Sequence, residues 1–276
     1  MGGQRKGPRA RDRALGARLR AIRRERTKFS LEQAAELCGW SPSTMSRIET
    51  GKRHVSTEDI ATFCTALGLP AALREELIDE ARAGNSAGWW DSPLPGVPAE
   101  VGTLAGYEAE AIRLTDWSVN LVPGLLQTYD YAVGLMRSGA VAPADIEMRW
   151  MARLRRQQIL GTVDYSAFIG EAAPRTPFGS PAAMRAQLQH LIEVRRRGIG
   201  LRVVPEHQPH SLVSHSWLLM EFSRTSPVVN IEMRTGGLYL HDDAAEAYLS
   251  LVDRLDKVAL SATASLAMLR KTHEEL

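Results

Sequence analysis

LEQAAELCGWSPSTMSRIETGKR, residues 31–53, decides the fold of the first part of the chain. Ser30-Leu31-Glu32-Gln33 reads as a capping box: the Ser30 hydroxyl meets the Gln33 amide, and the Gln33 side chain reaches back. The helix so opened is expected to run to about Cys38 and to stop at Gly39. Ser41-Pro42 restarts a helix at once, serine as N-cap and proline at the first helical position. That helix runs to about Thr50 and ends at Gly51. Two short helices joined by a tight, glycine-containing turn form a helix-turn-helix pattern.

The flanks supply the rest of a bundle. Residues 14–26 place Leu15, Leu19 and Ile22 on one stripe of an amphipathic helix. Ser56 with Asp59 opens a fourth helix with Ile60, Phe63, Cys64 and Leu67 on its buried side, and a fifth follows Pro70 with Leu73, Leu77 and Ala81 on one face. Five helices over residues 14–83 are therefore expected.

At about 100° per residue, the second helix of the pair puts Ser43, Arg47 and Thr50 on one side and Met45 and Ile48 on the other. A helix that inserts into the DNA major groove needs this division, with apolar residues seated in the bundle and arginine or short polar side chains toward base edges. Arg47 can bond guanine O6 and N7 together, whereas Ser43 suits more than one base. Gln33, Thr44, Lys52 and Arg53 are placed for the phosphate backbone. Charge agrees in sign. Residues 1–55 hold 14 basic against 5 acidic side chains, a local +9, while the remainder holds 20 against 27. A basic block on an otherwise acidic chain fits a polyanionic partner or, equally, a solvated charged face.

The segment of residues 31–53, with its terminal Ile-Glu-Xaa-Gly-Lys run, resembles the Xre-type, lambda-repressor-like helix-turn-helix regulators. The resemblance implies a five-helix DNA-binding domain that reads double-stranded DNA through its third helix, usually as a homodimer on a palindrome. Pro42 departs from the pattern, standing where many relatives carry a base-reaching side chain, and this shifts readout onto Ser43 and Arg47.

Residues 1–13, Gly/Pro/Arg-rich without apolar periodicity, are expected to form a disordered basic arm. Residues 84–98, holding Trp89-Trp90 among glycines and prolines, read as a linker or ordered loop. Beyond them, helices are expected at 99–113, 127–137, 143–160, from Ser180 onward and at 244–258, with strand-like runs at 163–169, 200–204, 216–222, 227–233 and 237–240. The second domain, 99–276, thus reads as α+β with a small, mostly antiparallel sheet. LVPGLLQTYDYA, RWMARLRRQQIL and GLYL are similar to a C-terminal domain of actinobacterial helix-turn-helix regulators that include WhiJ-like and antitoxin-like proteins. That likeness implies a transcriptional regulator, often encoded beside a small partner protein. The alternative is an antitoxin-like protein whose main role is to neutralise that partner.

Chemistry is sparsely signalled. His207, His210 and His215 match no zinc spacing and read as surface histidines. Cys38 and Cys64 face the bundle and read as packing. Glu171 and Arg175 read as a structural pair, and the arginines at 149, 153, 155 and 156 as a largely solvated face. No nucleophile elbow, P-loop, zincin or dinucleotide motif is present, so neither an enzyme nor a cofactor is expected. No apolar run is long enough to cross a bilayer and no hydrophobic stretch follows the arginine-rich start, so membrane and signal segments are not expected; the expectation is a cytoplasmic, nucleoid-associated protein.

Overall fold

A computed structural model describes residues 10–83, 94–196, 198–206, 214–223, 225–233 and 236–276. The chain divides into two compact units, one of residues 1–93 with 99–107 and one of 94–98 with 108–276. The seam therefore differs from the expected one. The helix α6 (Ala99–Glu110) is divided between the units, its first nine residues grouping with the first, and its Ala105 and Tyr107 are buried. Trp89 and Trp90 lie outside the described residues.

The first unit is built on α1 (Ala10–Ile22), α2 (Leu31–Leu37), α3 (Pro42–Glu49), α4 (Thr57–Ala66) and α5 (Ala71–Ala83). Its core gathers Leu19, Met45, Ile48, Ile60, Phe63 and Leu77, all fully buried. Apolar area removed from water in such a cluster is its main source of stability. Helix α1 starts at Ala10, inside the stretch expected to be a disordered arm. The reason is Asp12, buried with its carboxylate 2.8 Å from His54 Nδ1 and accepting the Val55 amide at 3.4 Å. Residues 1–9 of that arm lie outside the described residues. At Gly16 a Cβ would stand 2.2 Å from the Ile48 carbonyl oxygen, so glycine lets α1 and α3 touch backbone to backbone.

In the second unit a six-stranded sheet has the order β3-β2-β1-β4-β5-β6. Its strands are β1 (Arg113–Ser118), β2 (Asp164–Gly170), β3 (Gly200–Val204), β4 (Trp217–Glu221), β5 (Val228–Met233) and β6 (Gly236–Leu240). β1 runs parallel to β2 and β2 to β3, whereas β1–β4, β4–β5 and β5–β6 are antiparallel. The sheet is thus mixed, with antiparallel pairings in the majority. β1 was not anticipated; it lies centrally, yet carries Asp116 in mid-strand, a residue type that weakens strand propensity.

The connections are α7 (Tyr129–Ser138) and α8 (Pro143–Gln157) between β1 and β2, then α9 (Pro181–Arg196) before β3. After β6 come α10 (Asp243–Val258) and α11 (Ala262–Glu274), the latter also unanticipated. Trp117, Phe168, Trp217, Leu219 and Val229 form one sheet face and meet Ala245 and Leu255 of α10. The outer margin of β3 is closed by the chain that follows α10. Leu260 N donates to Val203 O at 2.8 Å, and Val203 N donates to Ser265 Oγ at 3.0 Å. Among the described residues, no helix is long and apolar enough to cross a membrane.

Candidate nucleic-acid interface

The geometry of α3 follows from its caps. Ser41 Oγ accepts the Thr44 amide at 3.1 Å, Pro42 occupies the first turn, and Gly51 N closes the end on Ile48 O at 2.9 Å. Before it, the Ser30–Gln33 capping box forms as read, with Ser30 N donating to Gln33 Oε1 at 2.9 Å and Gln33 N to Ser30 Oγ at 3.2 Å. Trp40 N returns to Ala35 O at 2.8 Å across Gly39, whose φ is 68°. These bonds fix the turn between α2 and α3.

Helix α3 buries Met45, Ile48 and Glu49 and exposes Ser43, Arg47 and the following Thr50. The apolar members lie where the sequence put them. Glu49 was missed: it is buried and takes a two-point ion pair from Arg23, Nε to Oε1 at 2.6 Å and Nη2 to Oε2 at 2.8 Å. Arg23 Nη1 also donates to Phe29 O at 2.9 Å. Glu49 raises the guanidinium's pKa, chiefly through their hydrogen bonds. Arg23 opens a single π turn, Arg23–Thr27, that extends α1 and ends at Lys28 with φ 58°. The pair thus ties the end of the first helix to the end of α3. The available sequence signal was an acid within an otherwise apolar inner face.

The seven candidate side chains are not equivalent. Arg47 is exposed, and its carbonyl accepts the Arg53 amide at 3.1 Å, which folds the loop back on the helix. Ser43 Oγ and Thr44 Oγ1 each lie 3.0 Å from Ser41 Oγ, so both hydroxyls already take part in the cap. Thr50 gives its hydroxyl proton to Ser46 O at 2.6 Å and retains only acceptor capacity outward. Gln33 spends its carbonyl oxygen on the capping box, which leaves its amide protons as the group to offer a phosphate. Lys52 is exposed. Arg53 is engaged by Asp59 at 3.0 and 3.3 Å, so part of its charge is neutralised within the fold.

Elsewhere, Cys38 and Cys64 are buried, and burial pushes the Cys38 thiol up to about 11. Arg175 donates to Glu171 at 2.8 Å as expected. His215 bonds Ser214 Oγ and Tyr248 Oη, each at 2.9 Å, while His207 and His210 lie outside the described residues. The arginines of α8 do not form a solvated face. Arg156 donates to Glu108 at 2.8 and 2.6 Å within the second unit, and Arg153 is turned inward.

Residues 14–77 match a family described as a helix-turn-helix domain, the class that this pair of helices defines. The longer match covers residues 101–271, and the chain belongs to that family, described as a domain of unknown function (DUF5753). Among solved structures, the clp gene regulator ClgR from C. glutamicum is 32% identical over 28% of this chain and 96% of that chain, with a TM-score of 0.23. No curated protein matches the chain.

Proposed function

We propose that this protein is a sequence-specific, DNA-binding transcriptional regulator of the Xre type, working as a dimer on a palindromic operator. The observation that carries this reading is the division of α3: Arg47 and its polar neighbours stand outward while Met45, Ile48 and Glu49 anchor the helix from behind. Lys52 and the helix-borne amide protons of Gln33 supply phosphate contacts and most of the affinity. Arg47 supplies most of the discrimination, since Ser43 and Thr50 each share a hydroxyl with the fold. The second unit, in this reading, modulates the first in response to a small molecule or a partner.

Genome-wide mapping of bound DNA tests the proposal. A recurring inverted repeat, with half-sites about one helical turn of DNA apart or a multiple of it, is the expected result. Uniform coverage that tracks only DNA abundance refutes it.

A further inference from the structure

Helix α8 carries Arg149, Arg153 and Arg156, and two of them are satisfied within the second unit. Arg149 Nε donates to Gly96 O at 2.9 Å, and Arg156 holds Glu108 at two points. Arg153 differs: its Nε and Nη1 are shielded from solvent and meet no acceptor among the described residues. Nothing in ordinary protein chemistry lets a guanidinium escape by losing its proton at neutral pH. Burial and the positive charge of Arg156 both work against it, pressing its pKa down to about 10, and Glu232 offsets them only through space.

A second orphan lies in the adjoining turn. Gln127 Nε2 donates to Val122 O at 2.7 Å, but Gln127 Oε1 is buried without a donor among the described residues. That turn is fastened to α8 by Gln157, one helical turn beyond Arg153. Gln157 Nε2 donates to Gln127 O at 2.8 Å and to Gly124 O at 3.3 Å. Arg153 Nε is 3.8 Å from the point where Gly124 would carry a Cβ. Two cationic donors and one neutral acceptor, all buried and unmatched among the described residues, therefore lie on the two elements that Gln157 ties together. Native folds leave few such groups, and a charged one is the costliest to leave. The missing complement has negatively charged oxygens for Arg153 and a hydrogen-bond donor for Gln127.

We propose that the corner formed by residues 122–131 and α8 binds a small oxyanion, a carboxylate or a phosphate, that carries a neighbouring hydroxyl or ammonium group. Arg153 receives the anion and Gln127 Oε1 receives the donor. Guanidinium is the side chain best suited to planar or tetrahedral oxyanions in a dehydrated site.

Thermal unfolding of the full chain in phosphate, acetate and glycolate, each against chloride at matched ionic strength, tests this. The expected result is a saturable rise in Tm with phosphate or with the carboxylates, absent in chloride. A response to phosphate alone assigns a phosphate ligand. A response to the carboxylates alone, strongest for glycolate because it brings a hydroxyl, assigns a hydroxy- or amino-carboxylate. Arg153→Gln is expected to abolish the response. Arg153→Lys, which retains the charge and serves if the glutamine variant fails to fold, is expected to raise the half-saturating concentration by about tenfold. No rise beyond chloride, or an undiminished response in whichever variant folds, overturns the proposal. No DNA is present in the measurement, so its failure leaves the regulator reading standing.

Discussion

Arg23 and Glu49 stand 26 residues apart and form a two-point ion pair at 2.6 and 2.8 Å, with side chains only 6% and 3% exposed. Removing one partner leaves the other charge buried and uncompensated. Arg23→Ala or Glu49→Ala is therefore expected to destabilise the first unit by about 3–5 kcal/mol, and the double change Arg23→Met with Glu49→Leu by markedly less. Urea unfolding of the parent and the three variants checks this by comparing their midpoints.

Arg47 and Lys52 are expected to fail in different ways if α3 reads DNA. Arg47→Ala should cost about 1–3 kcal/mol on the preferred duplex and relax selectivity at one base pair. Lys52→Ala should weaken every sequence alike and lower the slope of log affinity against log salt by about one. Fluorescence anisotropy across a set of single-base-pair variants, repeated over a salt series, separates the two patterns.

Much of this arrangement is legible in the sequence, and the reasons for the exceptions are physical. Caps and apolar stripes are local, so Ser30, Ser41 and Ser56 announce their helices and Met45 and Ile48 announce the buried side of α3. Partners distant in sequence leave no such trace. Glu49 looks like any surface acid until Arg23 is brought beside it, and Asp116 conceals a central strand. The solvated reading of the α8 arginines failed for the same reason, because Glu108 lies 48 residues before Arg156. The parallel pairing of β1 with β2 was likewise out of reach, since it depends on a strand that periodicity alone did not reveal.

Asp116 makes stability pH-dependent. Burial raises its carboxyl from an ordinary 3.8 to about 7; Tyr165, donating at 3.2 Å, and Arg156 oppose the rise, while Glu108 and Glu232 add to it. The folded chain thus holds a proton that the unfolded chain releases, so this stability is present below the ordinary value and is lost as pH climbs toward 7. Asp116→Asn should flatten that slope and leave the variant more stable than the parent at about pH 8, by on the order of 1–3 kcal/mol. Urea midpoints at about pH 5 and pH 8 provide the check.

Cys38 and Cys64 are expected to resist thiol reagents while the first unit is folded. Both are buried, burial raises both thiols, and the thiolate is the reactive form. Alkylation at about pH 8 should therefore be negligible in buffer and complete in denaturant, as read by intact mass. Rapid labelling of the native protein would contradict the packing role.

The helix Ala99–Glu110 changes how the molecule can be taken apart. A fragment ending before Ala99 lacks nine residues that group with the first unit, and one that begins there carries them without the rest of that unit. A cut after Tyr107 breaks the helical ladder itself. Fragments trimmed by sequence alone should therefore be judged by their folding before their activity is interpreted.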